Sequence, residues 1–218
     1  MLNSDTLQFL RDLKENNNRE WFHDHKKTYN AAKENVIDFV QTIITEIQKF
    51  DKSIVNLTPK QCLFRINRDI RFSKDKSPYK TNFGAGISAG GRKSMSAGYY
   101  LHIEPDNHFA GGGMWHPSSP NLKKIRQEID YNTEDFEKIV ANPKFVAFFG
   151  ELQGDQLKTA PKGYPKDHPA IQYLRYKDFV AVRKLKDTQA TSSDFAAIVA
   201  ETMQTMKPLK DFLNEAIG

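Results

Sequence analysis

The apolar residues of this chain change their spacing twice, and that change limits the folds it can adopt. Near the start, Leu7, Leu10 and Leu13 recur at helical spacing, which continues over residues 21–47. In the middle, apolar and polar residues alternate over residues 99–104, as they do in half-buried strands. Helical spacing returns in the last hundred residues. Helices, strands and helices in this order predict an α+β fold rather than alternating βαβ units.

The strands are predicted to form an antiparallel β-meander over about residues 61–115. The period-two pattern begins with Cys62, Phe64 and Ile66, which we interpret as its first strand. Glycine-containing segments and short polar turns separate the strands that follow. A further strand is expected near residues 179–185, and N-terminal and C-terminal helices flank the sheet.

The positive charge of the chain is concentrated in one stretch. The formal net charge is +5, and residues 60–93 contain nine basic and two acidic residues, a net +7. The other 184 residues therefore sum to −2. A localised field of one sign predicts an anionic partner, whereas the alternative is a solvated basic face.

The most informative part of this stretch is residues 65–80. If the first strand continues into it, alternate residues share one face of the sheet, because side chains alternate along a strand. That face would carry Arg65, Asn67, Asp69 and Arg71. Asp69 could then hold the arginines in place, and fixed guanidinium groups suit bidentate recognition of phosphate or carboxylate. The candidate ligand-binding residues are Arg65, Arg68, Asp69, Arg71, Lys74, Lys76, Lys80 and Trp115. The alternative is a charged face whose arginines pair with acidic helices elsewhere.

Three residues outside the basic stretch are candidates for acid–base chemistry. His102 and Glu104 share one face of their predicted strand, and His116 follows a glycine-rich strand. A hairpin between the two strands would bring His116 towards His102. A histidine pair with a carboxylate can transfer protons or bind a metal, but this spacing matches no recognised metal motif. We therefore predict no metal site, and we assign no catalytic role beyond these three candidates.

Two glycine clusters resemble phosphate-binding loops only superficially. Neither Gly84 with Gly86 nor residues 111–113 lie between a strand and a helix, as a phosphate-binding loop requires. Glycines within strands more often mark bulges or close packing. The sequence therefore predicts no cofactor.

Composition and cysteine content narrow the class of protein. The chain is 39% hydrophobic over 218 residues, enough for a sizeable core, and we expect a single domain over residues 1–218. Cys62 is the only cysteine, so a disulfide framework is excluded, and we expect this thiol to face the core. No segment has the length and apolarity of a membrane span or a signal peptide. We predict a cytoplasmic protein with no membrane partner.

Several motifs together resemble one known family. They are LQFL and NNNREWF near the N-terminus, RDIRFSKDKSPYKTN in the basic stretch, and GGGMWHP further on. The chain is similar through these motifs to the bacterial domain-of-unknown-function family 2461, from about Leu7 to about Leu185. The resemblance implies one domain and a cytosolic bacterial protein, and it carries over no activity or site residue.

Three functions remain open from the sequence. The first is a site for an anionic small molecule that bears phosphate or carboxylate, which could be catalytic. The second is a nucleic-acid-binding module that uses the same basic residues with Phe72, Tyr79 and Tyr99 as stacking groups. The third is a non-catalytic interaction protein whose basic face meets an acidic partner. A concave, partly buried cluster of cations would favour the first function, and a broad exposed stripe would favour the second.

Overall fold

The helices and strands follow the predicted α+β order. A computed structural model describes all residues, Met1–Gly218. The helices are α1 (Ser4–Glu15), α2 (Arg19–Asp24), α3 (Lys26–Gln48), α4 (Pro59–Cys62), α5 (Ser119–Tyr131), α6 (Thr133–Val140), α7 (Pro143–Phe149), α8 (Ile171–Leu174), α9 (Asp187–Ala190) and α10 (Phe195–Ile217). The strands are β1 (Phe83–Ile87), β2 (Gly98–Ile103), β3 (His108–Met114) and β4 (Phe179–Leu185). None of the helices combines the length and the apolarity that crossing a bilayer requires.

The four strands form one antiparallel sheet in the order β1-β2-β3-β4. This order confirms the predicted meander and the predicted strand near 179–185. The register pairs Gly84 with His102, His102 with Phe109, and Gly98 with Gly113. Because residues that are paired across strands point to the same face, this register decides which side chains can meet.

The two faces of the sheet have different surroundings. Leu101 on β2 and Ala110 on β3 are fully buried on the face that α10 crosses, and α3 packs against α10 and β1. The alternate residues, including Tyr100 and His102, point to the opposite face. That second face, which we call the open face, is covered only in part by the segment before β1, where the Phe64 ring lies over β1.

Residues 62–71 do not form the predicted first strand. The Thr58 N–H and hydroxyl donate to the side-chain oxygen of Gln61 at 2.9 and 2.8 Å, and this capping arrangement starts α4, which runs through Cys62. Between α4 and β1 the chain forms only isolated β-bridges, among them the bridge of Leu63 with Ala85. The expected position of Cys62 is confirmed, since it is fully buried and burial raises the pKa of its thiol to about 11.

A buried ion pair joins α10 to the loop after α3. The Lys210 ammonium lies 2.8 Å from Asp51, and the Tyr99 hydroxyl donates to the same carboxylate at 2.8 Å. Burial alone would raise the pKa of Asp51, but hydrogen bonds from Lys210, Ser53 and Tyr99 outweigh it and hold this pKa well below its usual range.

Candidate functional site

The basic residues lie in a long loop between α4 and β1, and we call residues 63–82 the basic loop. Backbone hydrogen bonds join its two arms. The Arg68 N–H donates to the Pro78 carbonyl at 2.9 Å, and the Lys80 N–H donates to the Ile66 carbonyl at 2.8 Å. The loop therefore returns to its starting point rather than continuing the sheet.

Side chains close the basic loop at its neck. The Arg68 guanidinium forms an ion pair with Asp75. Asp75 also accepts hydrogen bonds from the N–H and the hydroxyl of Ser77, at 2.9 and 2.6 Å. These contacts separate the tip of the loop, residues 69–76, from its root, which comprises the remaining residues.

The tip projects into solvent, and its strongest pair is internal. The Nε and Nη2 atoms of Arg71 donate to the two carboxylate oxygens of Asp69 at 2.9 and 2.7 Å. This pairing lowers the pKa of Asp69 to about 2. Phe72 is 95% exposed, and Lys74 and Lys76 are exposed as well. The Arg71 fork is therefore already occupied by a carboxylate.

The structure does not bring the predicted row of arginines onto one strand face. Asp69 hydrogen-bonds to Arg71 and not to Arg65, because the chain turns between them instead of extending as a strand. Arg65 and Arg68 belong to the root, whereas Arg71 and Lys74 are exposed at the tip.

A cavity of about 400 Å³ opens at the root. Its lining residues are Lys14, Asn17, Arg68, Asp75, Ser77, Tyr79, Lys80, Thr81 and Asn82. The Asn17 side chain holds the end of α1 against the root, since it donates to the Tyr79 carbonyl at 2.9 Å and accepts from the Tyr79 N–H at 3.1 Å. Sequence reasoning missed Lys14 and Asn17, because they are far from the root in sequence: Asn17 lies 62 positions before its partner Tyr79.

Lys80 is a half-buried cation of this cavity. Its ammonium lies 5.5 Å from the centre of the Phe64 ring. Burial lowers the pKa of Lys80, and the nearby Arg65 guanidinium lowers it further. Lys80, Arg65 and Lys14 form no ion pair with a carboxylate, in contrast to Arg68 and Arg71. Lys80 and Arg65 of the root and Lys14 of α1 are therefore cations without an ion-pair partner, although the Arg65 charge acts on Asp69 at longer range.

A row of hydrogen-bonded side chains borders the cavity on the open face of β2. His102 Nε2 lies 3.1 Å from Glu104, and His102 Nδ1 lies 3.3 Å from the Tyr100 hydroxyl. Asn82 and Thr81 of the root contact the same row, at 3.4 Å from His102 and 2.7 Å from Glu104. His102 and Glu104, which the alternation places on one face, thus contact each other, and Tyr100 extends the row.

A larger and more apolar groove of about 610 Å³ lies further along the open face. Aromatic rings of Phe64, Tyr100, Phe109 and Trp115 line it, together with Gly86 and other residues without large side chains. A Cβ atom on Gly84 would lie 2.6 Å from the Tyr100 hydroxyl, so the absence of a side chain there leaves room for this phenol. The glycine at position 84 therefore allows the Tyr100 side chain to lie across β1 on the open face.

His116 does not approach His102, and the prediction that the hairpin brings them together is wrong. His102 pairs with Phe109, whereas Gly98 at the start of β2 pairs with Gly113. His116 lies beyond that end of β2, roughly 20 Å from His102 at about 3.3 Å per residue. The short turn between β2 and β3 fixes the register of these two strands. This register places His102 and His116 near opposite ends of the hairpin.

His116 and Trp115 belong to the far end of the groove. The His116 N–H donates to the carboxylate of Asp178 at 2.6 Å, and His116 Nδ1 lies 3.1 Å from the same oxygen. Asp178 is buried and holds His116 in a left-handed backbone conformation, with φ of 49°. Trp115 borders the groove and not the cavity at the root.

Two of the three aromatic rings predicted to stack on nucleic-acid bases are buried. Tyr79 is packed against Phe22 with 3.9 Å between ring centres, and Tyr99 lies in the core. Phe72 at the tip is exposed. A continuous stacking platform is therefore not formed by these residues.

Comparisons with known proteins identify a family. No curated protein and no solved structure matches the chain. A family model described as a conserved hypothetical protein, DUF2461, matches residues 5–212, which is nearly the whole chain. The protein therefore belongs to the DUF2461 family of conserved hypothetical proteins.

Proposed function

We propose that this protein binds a small anionic molecule, bearing phosphate or carboxylate, in the cavity at the root of the basic loop. The observation that carries the proposal is the set of cations that form no ion pair: Lys14 and Lys80 line the cavity, and Arg65 lies close to Lys80. Amide and hydroxyl groups of Asn82, Thr81 and other lining residues add hydrogen-bond partners.

Electrostatics supports an anion at this place. Bringing Lys80 and Arg65 together costs free energy, because like charges repel and the half-buried ammonium has lost part of its hydration. A bound anion would remove both penalties, since it would supply a counter-charge to each cation. Hydrogen bonds between charged groups are worth about 1.5–3 kcal/mol each.

The tip of the loop is a poorer candidate for specific binding. Arg71 already holds a bidentate carboxylate, and Lys74 is exposed. The proposed site therefore keeps Arg65, Arg68 and Lys80 from the sequence analysis and adds Lys14. The alternative of an acidic protein partner would instead depend on the tip.

The test compares two variants that remove the same charge. Lys80→Gln changes the cavity, and Lys74→Gln changes the exposed tip as a matched control. We expect Lys80→Gln to weaken the binding of inorganic phosphate, pyrophosphate or citrate by roughly ten- to a hundredfold, at about 1.4 kcal/mol per decade. Lys74→Gln should bind nearly as wild type. Calorimetry at two salt concentrations gives the affinities, and melting temperatures confirm folding.

Two results would contradict the proposal. The first is equal weakening by both variants together with steep salt dependence, which would indicate a nonspecific basic surface. The second is tight binding of a single-stranded oligonucleotide with no binding of the small anions, which would favour the nucleic-acid alternative.

A further inference from the structure

Glu104 fixes the tautomer of His102. One Glu104 oxygen accepts from the Thr81 hydroxyl at 2.7 Å, and the other lies 2.8 Å from the Asn107 amide and 3.1 Å from His102 Nε2. Burial would raise the pKa of Glu104, but these hydrogen bonds outweigh it and lower that pKa, so the group is a carboxylate at neutral pH. A carboxylate can only accept, and Nε2 must therefore carry the proton.

His102 Nδ1 is then an acceptor with a single lone pair, yet two donors face it. The Tyr100 hydroxyl lies 3.3 Å from Nδ1, and the Asn82 amide lies 3.4 Å from it. Burial lowers the pKa of His102, so the ring is neutral near pH 7 and the lone pair stays available. Only one of the two donors can hydrogen-bond to this lone pair, and the other donor has no acceptor there.

The two donors belong to different spaces. Asn82 lines the cavity at the root, whereas Tyr100 lines the apolar groove. Phe64 also stands at this boundary, because its ring centre lies 5.5 Å from the Lys80 ammonium and 6.2 Å from the Tyr100 ring. The cationic cavity and the apolar groove therefore meet around His102 and Phe64.

The groove has the size and lining of a small-molecule site. Its volume of about 610 Å³ is within the range of about 300–1,000 Å³ that is usual for ligand pockets. Phe64, Tyr100 and Phe109 offer ring surfaces, and Gly86 leaves the floor flat between them. This lining suits a planar apolar group better than a branched or charged one.

We propose that the ligand is an aryl or similarly planar apolar phosphate or carboxylate. Its anionic group binds beside Lys80 and accepts the spare hydrogen bond from Tyr100 or Asn82, and its planar body lies in the groove past Phe64. This inference rests on the proposed function, since it requires the anion to occupy the root cavity.

The experiment uses 1-naphthyl phosphate and inorganic phosphate as probes, measured by calorimetry on the full chain. We expect 1-naphthyl phosphate to bind at least about tenfold more tightly than phosphate, because its rings are removed from water. Gly86→Val fills the groove floor and should abolish this gain while phosphate binds as before. Gly86→Ala is the milder second variant, since its Cβ would meet Arg92 and Phe64 at 3.4–3.5 Å. Ala89→Val, at an exposed position after β1, is the matched control.

Tyr100→Phe tests the spare donor separately. The variant keeps the ring and loses the hydroxyl, and we expect it to weaken 1-naphthyl phosphate by roughly three- to tenfold, as for the loss of one hydrogen bond. Tyr131→Phe removes a hydroxyl from an exposed ring on α5 and should change nothing.

The outcomes separate this inference from the proposed function. Phosphate binding that Lys80→Gln weakens, without any gain from the naphthyl group, would overturn the inference and leave the anion site in place. A naphthyl gain that persists in both Gly86 variants would also overturn it, because the rings would then lie elsewhere. Absence of binding of phosphate, pyrophosphate and citrate alike in the wild type would overturn the proposed function itself.

Discussion

At the scale of single residues, some charged side chains of this protein form an ion pair within the fold and others do not. Lys210 is buried and satisfied by Asp51, and Arg71 is exposed and satisfied by Asp69. Lys80 is half-buried and has no such partner. Because charges that lose hydration are normally paired, this difference supports the anion site that we propose at the root.

The buried pair predicts how stability depends on pH. Asp51 has a lowered pKa in the folded state, so its contribution to stability is fully present above the unfolded value of about 4 and is lost progressively as pH falls from there towards the folded-state pKa. Asp51→Asn leaves the Lys210 ammonium without its main counter-charge, and we expect roughly 3–5 kcal/mol of destabilisation at pH 7. Urea unfolding at pH 7 and pH 3 should show the wild type approaching the variant at the lower pH. A gap that stays constant would contradict this reading of the pair.

At the scale of elements, the sequence predicted regular strands well and the basic loop poorly. The strand at 99–103 was predictable because alternation persists over its whole length, and β4 was predictable because residues 179–185 also alternate. The strand at Cys62 failed because three alternating residues are too few, and the Thr58 cap started a helix instead. Lys14 could not be assigned to the site, since only tertiary folding brings α1 to the root.

The turn after β3 gives a test at this scale. Asp178 is buried and accepts the backbone N–H groups of His116 and Asp155, at 2.6 and 3.3 Å. Asp178→Ala would leave these donors without partners, and we expect a loss of roughly 1–3 kcal/mol in the free energy of unfolding. Asp155→Ala removes only an exposed ion pair with Lys177 and should cost less than about 1 kcal/mol. Similar losses in both variants would mean that Asp178 does not hold the turn.

At the scale of the whole molecule, helices cover one face of the sheet, and the site that we propose lies on the other. The helices α3 and α10 pack against the apolar side of the sheet. Tyr100 and His102 of β2, with Glu104 directly after it, lie on the open face. The basic loop and the end of α1 then add cations at one border of that face. The proposed site combines residues from separate parts of the chain, which is why no short motif in the sequence indicates it.

The most direct measurement is a titration of the isotope-labelled protein with inorganic phosphate, followed by backbone amide NMR. The account predicts that the largest shifts fall on the root and its neighbours, at Lys14, Lys80, Thr81 and Asn82. The tip, including Arg71 and Lys74, should show small changes only. Shifts that are concentrated at the tip, or spread evenly over every basic residue, would contradict an anion site at the root.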